Sequence, residues 1–139
     1  MTTLLVAAAI IENEGRILLA RRRADAPYPL FWEFPGGKVE QGEDPKECVV
    51  REIREELAIE VAVDGIYEVI FHRYPERNVL MLAYRCRWLG GEIEDREVAE
   101  HRWVFPDDLK RFDLLPADIP LVRRISEEFG DGDGDTACL

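Results

Sequence analysis

The sequence predicts an α/β domain, and three features carry that prediction. Short apolar runs of β-forming residues recur along most of the chain. One stretch, 45–57, instead repeats its apolar residues every four positions, and a second such repeat precedes a Gly/Asp-rich tail. The 139 residues suffice for one domain with a sizeable core. That domain is expected over 1–129, with 130–139 too polar to pack and therefore disordered.

Leu4–Ile11 and Arg16–Ala20 are apolar runs joined by Glu-Asn-Glu-Gly, which reads as a hairpin turned at Gly15. The run LLVAAAII lacks a basic leader and is too short to span a bilayer, so it reads as a buried strand. Residues 24–36 hold Pro27, Pro29, Pro35 and Gly36 and predict an irregular loop carrying Tyr28, Phe31, Trp32 and Phe34. Val61–Val63, Val69–Tyr74 and Asn78–Trp88 read as three further strands, the last the longest, until Gly90-Gly91 breaks the pattern. Arg102–Phe105 is a short strand and Pro106 opens a small helix. Pro120–Phe129 is a helix with Leu121, Ile125 and Phe129 on one face.

A formal net charge of −11 argues against a stable nucleic-acid complex or an anionic membrane as partner. An anionic ligand would need a cation between itself and this protein. Cys48, Cys86 and Cys138 are odd in number and show no metal-ligand spacing, which predicts free thiols in a reducing cytoplasm. The tail GDGDGDTACL imitates a calcium loop, but the chain ends before the twelfth-position Glu that such a loop needs. No motif specifies an oligomeric state.

The informative segment is Gly36–Ile59. Asp44, Pro45 at the first helical position and Glu47 three residues after the cap predict a helix start of capping-box type. Val49, Ile53 and Leu57 then form its buried stripe. At about 100° per residue, Glu56 falls about 60° from the stripe's centre, Glu52 about 100° and Glu55 about 160°. These like charges, three and four apart, repel one another. They could be a solvated face neutralised by Arg51 and Arg54. Glu56 argues otherwise, because a solvating residue has no reason to sit so near the apolar stripe. Carboxylates converging at a core edge suit a hard cation such as Mg²⁺, and Gly36 and Gly37 let the backbone approach them closely.

Gly37, five residues, Glu43, seven residues, then Arg51-Glu52-Ile53-Arg54-Glu55-Glu56-Leu57-Ala58-Ile59 resembles the Nudix box, G-x5-E-x7-R-E-U-x-E-E-x-G-U, with U a bulky aliphatic residue. Eight of the nine defined positions match. The departure is Ala58, where the family has Gly, so Ala58 has to turn left-handed at a cost of about 1 kcal/mol. The likeness extends through ARRRADAP, WEFPGGKVE and LLPADIPLV, roughly residues 4–129, and is strongest to the MutT branch and its CTP-hydrolysing relatives.

The resemblance implies an α/β/α sandwich around a mixed β-sheet. It also implies hydrolysis of a nucleoside triphosphate between the α and β phosphates, giving monophosphate and pyrophosphate, with Mg²⁺ (or Mn²⁺) as cofactor. By position, Glu52, Glu55 and Glu56 with the Gly36 carbonyl would bind metal, and Glu52 would activate water. Glu43 and Arg51 would form an ion pair orienting the helix. A further metal carboxylate is expected before Trp103, from Glu97 or Glu100, with spacing favouring Glu97. Arg22 would reach substrate, unless Arg21-Arg22-Arg23 is only a basic surface run. Phe34 and Trp32 would wall the pocket, unless these loop aromatics are only core, and Asp118 would read the base, unless it merely caps the last helix. The implied substrates are CTP or dCTP and 8-oxo-dGTP, in nucleotide-pool sanitation. Tyr74-Pro75 keeps open an alternative, ADP-ribose or dinucleoside polyphosphates. A non-catalytic nucleotide-binding domain is the third reading, disfavoured by the complete set of box carboxylates.

Overall fold

A computed structural model describes residues 2–129. The tail 130–139, with Cys138, lies outside them. The N-terminal apolar run becomes the central strand β1 (Thr3–Asn13), which turns through Glu14 and Gly15 into β2 (Arg16–Arg21). Two very short strands follow, β3 (Trp32–Glu33) and β4 (Gly36–Lys38), then helix α1 (Pro45–Leu57). The chain continues through β5 (Glu60–Arg73), β6 (Asn78–Gly90), β7 (Glu100–Val104), two 3₁₀ turns (Pro106–Arg111 and Pro116–Asp118) and helix α2 (Ile119–Phe129).

The seven strands form a mixed sheet. One edge of β1 runs parallel to β6 from Thr3↔Asn78 to Ile11↔Cys86, and β5 lies antiparallel outside β6. The other edge of β1 is shared. β4 pairs with Val6–Ala8, and β2 pairs only with Glu12 and Asn13. β2 in turn holds β3 and β7. Phe34 and Pro35 carry the backbone from the β2 side to β1, where the Ala9 N–H donates to the Pro35 carbonyl at 2.8 Å. The candidate site residues Arg22, Phe34, Gly36 and Asp118 gather around this crossing.

Alternation along β1 and β2 explains why both read as unbroken apolar runs: each is covered on two faces. Ala7, Ala9, Ile11, Leu18 and Ala20 pack under α1 against Val49, Ile53 and Leu57. Ala8, Ile10, Ile17 and Leu19 face Leu121, Val122 and Ile125 of α2. Helix, sheet, helix is the expected sandwich. Fully burying each such Leu, Ile or Val is worth about 1.5–3 kcal/mol. No described helix is long and apolar enough to cross a membrane.

Four expectations need correction. The segments Val61–Val63 and Val69–Tyr74 are one strand, and at fourteen residues β5 exceeds the thirteen of β6. Register shifts at Val63/Gly65 and Ile66/Glu68 absorb the polar interruption. The loop 24–36 is interrupted by β3 and the start of β4. Phe129 is 39% exposed rather than core; Arg85 lies over its ring at 5.3 Å, and Val122 takes the buried place.

Candidate active site

Asp44 caps α1 by accepting the Lys46 N–H at 2.8 Å, and Pro45 supplies the first turn without wasting a donor. The reciprocal half of the expected capping box is missing: Glu47 is exposed and returns no hydrogen bond. At the other end Ala58 adopts φ 64°, and its N–H donates to the Arg54 carbonyl at 3.0 Å. Between these ends, burial of Val49, Ile53 and Leu57 rotates Glu52 and Glu56 toward β4 and leaves Glu55 exposed.

Arg51 organises the acidic flank. Its guanidinium donates to both Glu43 oxygens, at 2.7 and 3.1 Å, to Glu52 Oε2 at 3.0 Å and to Glu55 Oε1 at 3.1 Å. Hydrogen bonding to Arg51, with the Glu40 N–H adding to it, holds Glu43 down to about 2. The same contacts push Arg51 further above its ordinary value.

Glu56 is in the opposite condition. Burial first, then the charges of Glu33 and Glu52, drive its carboxyl well above the usual range. Its Oε1 is sealed from solvent and has no hydrogen-bond partner. The backbone leaves room for this crowding only because residue 37 is glycine. A Cβ there would lie 2.6 Å from Glu52 Oε1 and displace that carboxylate. A Cβ on Gly36 would strike the Ala7 carbonyl across the β1–β4 pair.

An orphaned buried oxygen on Glu56, the crowded Glu52 and Glu33 carboxylates beside it and an unobstructed backbone fit a divalent cation with hard oxygen ligands. Among the described residues no three His, Cys, Asp or Glu side chains close into a ready cage. Glu55 is turned to Arg51, so part of the coordination would come from outside the chain.

A pocket of about 300 Å³ opens beside this cluster and is lined by Arg22, Glu33, Phe34, Gly36, Gly37 and Asp118 among others. Of the three consecutive arginines, Arg21 pairs with Glu100 and Arg23 with Asp25, both at 3.2 Å, and Arg22 reaches the pocket. Phe34 packs in the α2-side core and borders the cavity, whereas Trp32 is buried against Phe112, ring to ring at 5.0 Å. Asp118 is 3% exposed. Its Oδ2 accepts the Phe34 N–H at 3.2 Å, and it ends the 3₁₀ turn Pro116–Asp118 directly before α2. Burial, then Glu33, raises its pKa well above the carboxylate range.

The loop before β7 is tied to the end of α1: Arg96 and Glu97 both donate their N–H to the Glu56 carbonyl, at 3.0 and 3.3 Å. The Glu97 side chain is exposed and unpaired, while Glu100 is committed to Arg21 and Arg102. His101, on β7, bonds Asp95 of that loop at 2.6 Å, and His72 stacks edge-on with Tyr74. Glu33 has no counterpart in the sequence reading. It lines the pocket between Arg22 and the α1 carboxylates, and a lone Glu inside a Pro-rich aromatic stretch gave no period to mark it.

The NUDIX domain model matches residues 1–125. The chain belongs to the Nudix family. This Nudix chain is 41% identical to the CTP pyrophosphohydrolase of Escherichia coli (strain K12) over 118 residues, covering 84% of this chain and 87% of that protein. It is 33% identical to the 8-oxo-dGTP diphosphatase of the same organism over 126 residues, covering 90% and 98%. The crystal structure of MutT protein from Methanosarcina mazei Go1 superposes with a TM-score of 0.82 at 27% identity, covering 91% and 94%. Nudix hydrolases act on nucleotide substrates and use divalent metal ions, in keeping with the all-oxygen donor set beside the pocket.

Proposed function

We infer that this Nudix protein is a Mg²⁺-dependent pyrophosphohydrolase of nucleoside triphosphates, working on CTP or dCTP and on 8-oxo-dGTP in nucleotide-pool sanitation. The observation that carries the reading is the buried Glu56 carboxyl, with one oxygen unpartnered, crowded by Glu52 and Glu33 behind a pocket lined by Glu33, Gly36, Gly37 and Arg22. Residues 1–129 act as one domain, and the buried thiols Cys48 and Cys86 suit a cytoplasmic setting.

Glu52, Glu55, Glu56 and the Gly36 carbonyl, with Glu97 from the tied loop, would hold the cation. When bound, Mg²⁺ neutralises phosphate charge and lowers the pKa of water beside it. Arg51 and Glu43 orient Glu52, and Glu52 takes the proton of the attacking water. The water oxygen bonds to phosphorus as the bond between the α and β phosphates breaks, releasing monophosphate and pyrophosphate. Arg22 binds phosphate, and Phe34 walls the base. Burial favours the protonated form of Asp118, which both donates and accepts hydrogen bonds. Such a group can serve cytosine's ring nitrogen and amino group or an oxopurine's carbonyl. Tyr74, the sequence's pointer to ADP-ribose or dinucleoside polyphosphates, has its hydroxyl engaged by the Ala117 N–H at 3.1 Å.

The test is a panel of CTP, dCTP, dGTP, 8-oxo-dGTP, ADP-ribose and a dinucleoside polyphosphate, with products identified. Turnover of triphosphates to monophosphate and pyrophosphate, abolished by EDTA, is expected. Orthophosphate as the sole primary product, or full turnover in excess EDTA, would overturn the reading.

A further inference from the structure

Glu33 is out of place in an acidic site built for a polyanion. It stands beside Glu52 and Glu56, whose charges oppose its own, and borders the cavity that the substrate's phosphates would enter. Burial and the Glu52 charge both raise its pKa, so ionising it here costs free energy. Among the described residues a single contact offsets these costs: Arg22 Nη1 donates to Glu33 Oε1 at 3.1 Å, with the two side chains 23% and 19% exposed.

The arginine at the other end of that bond is fixed on three sides. Its N–H donates to the Phe31 carbonyl at 2.8 Å and its carbonyl accepts the Leu30 N–H at 3.2 Å, which fixes the backbone. Nε donates to the Pro27 carbonyl at 2.7 Å, and Nη1 is taken by Glu33. Nη2 has no partner among the described residues, and Arg22 lines the cavity. A guanidinium is a rigid planar fork, so engaging Nε and Nη1 determines where Nη2 points.

Resting on the functional reading above, we propose that Glu33 is a positioning residue that holds the Arg22 guanidinium so that its free nitrogen meets a substrate phosphate. Glu33 acts through Arg22 and touches neither substrate nor water. The contrast with Arg51 supports this: Arg51 spends its donors on Glu43, Glu52 and Glu55, whereas Arg22 has a single carboxylate and an unspent donor.

The experiment is a double-mutant cycle on Glu33→Ala and Arg22→Ala, read as KM and kcat for CTP with Mg²⁺. Binding of a triphosphate with a methylene bridge between its α and β phosphates is measured alongside, and thermal melting controls for folding. Glu33→Ala should raise KM and the analogue's Kd roughly tenfold, the scale of a lost charged hydrogen bond, with kcat changed much less. Arg22→Ala should do at least as much, and the double variant no more than Arg22→Ala alone. Glu33→Gln, which keeps an acceptor in place, should recover most of the loss; Glu33→Leu, which has no acceptor, replaces Glu33→Ala in the cycle if that variant does not fold. Additive losses, or a fall in kcat at constant KM, would place Glu33 on the substrate or the metal and overturn the proposal. A lowered melting temperature with unchanged KM would reduce the pair to a structural bridge and also overturn it. Wild-type protein that neither binds the analogue nor cleaves triphosphates would instead overturn the functional reading itself.

Discussion

Glu43 and Glu56 belong to the same motif and sit in opposite electrostatic conditions. Glu43 accepts three hydrogen bonds, two of them from Arg51, and its carboxyl is held down to about 2. Glu56 has a sealed oxygen without a partner, lies among like charges, and is pushed upward. The first is satisfied within the chain; the second is not, and either a proton or a cation from outside would relieve it. Arg51, on α1, spends its donors on Glu43, Glu52 and Glu55 and leaves Glu56 without one.

The sharpest way to break this comparison is to neutralise the unsatisfied side. Glu52→Gln and Glu56→Gln should each lower kcat by about 10²–10⁴-fold while the metal-free protein melts at the same or a higher temperature, since one repulsion is gone. Near-normal rates in both would make the acidic flank a solvated surface.

A moderate effect should separate the two acids by pH, in EDTA. The stability tied to Glu43 is present above the ordinary carboxyl pKa and is lost as pH falls toward about 2. Glu56 has the reverse sign: its folded pKa is raised, so its contribution is full below the ordinary value of about 4.3 and is lost as pH rises. Melting curves from pH 2.5 to 8 should show Glu43→Gln losing the acid-side decline and Glu56→Gln gaining on wild type above pH 4–5 (approximate onset, from the same reference pKa). Parallel profiles for all three proteins would refute the opposition.

The smallest effect tests the turn that ends the helix. Ala58 has φ 64°, so Ala58→Gly should stabilise the protein by up to about 1 kcal/mol with kcat unchanged. Chemical denaturation measures it, and a clear loss of stability would show that the turn tolerates a side chain at no cost.

Much of the site was legible because its logic is local. Asp44, Pro45, the Val49/Ile53/Leu57 stripe and the forced turn at Ala58 all lie within fifteen residues, where helical periodicity speaks directly. The strands β3 and β4 were not, because two or three residues carry no period, and Glu33 was missed with them. β5 was read as two pieces because bulges let Asp64 and Gly65 stay in a strand, which alternation alone cannot foresee. Asp118 stayed ambiguous for a different reason: its partner, the Phe34 N–H, is 84 positions away. Contacts of that range are set by the sheet.

Cys48 lies within the box on the inner face of α1, fully buried, with its Sγ 3.5 Å from the Lys38 carbonyl. Burial, aided by Glu43, pushes its thiol up to about 12. Oxidants attack the thiolate rather than the thiol, and at neutral pH such a group is almost wholly protonated. Peroxides therefore find no ready target in this layer of the protein. The thiol packed under the acidic flank is held in a chemically silent form.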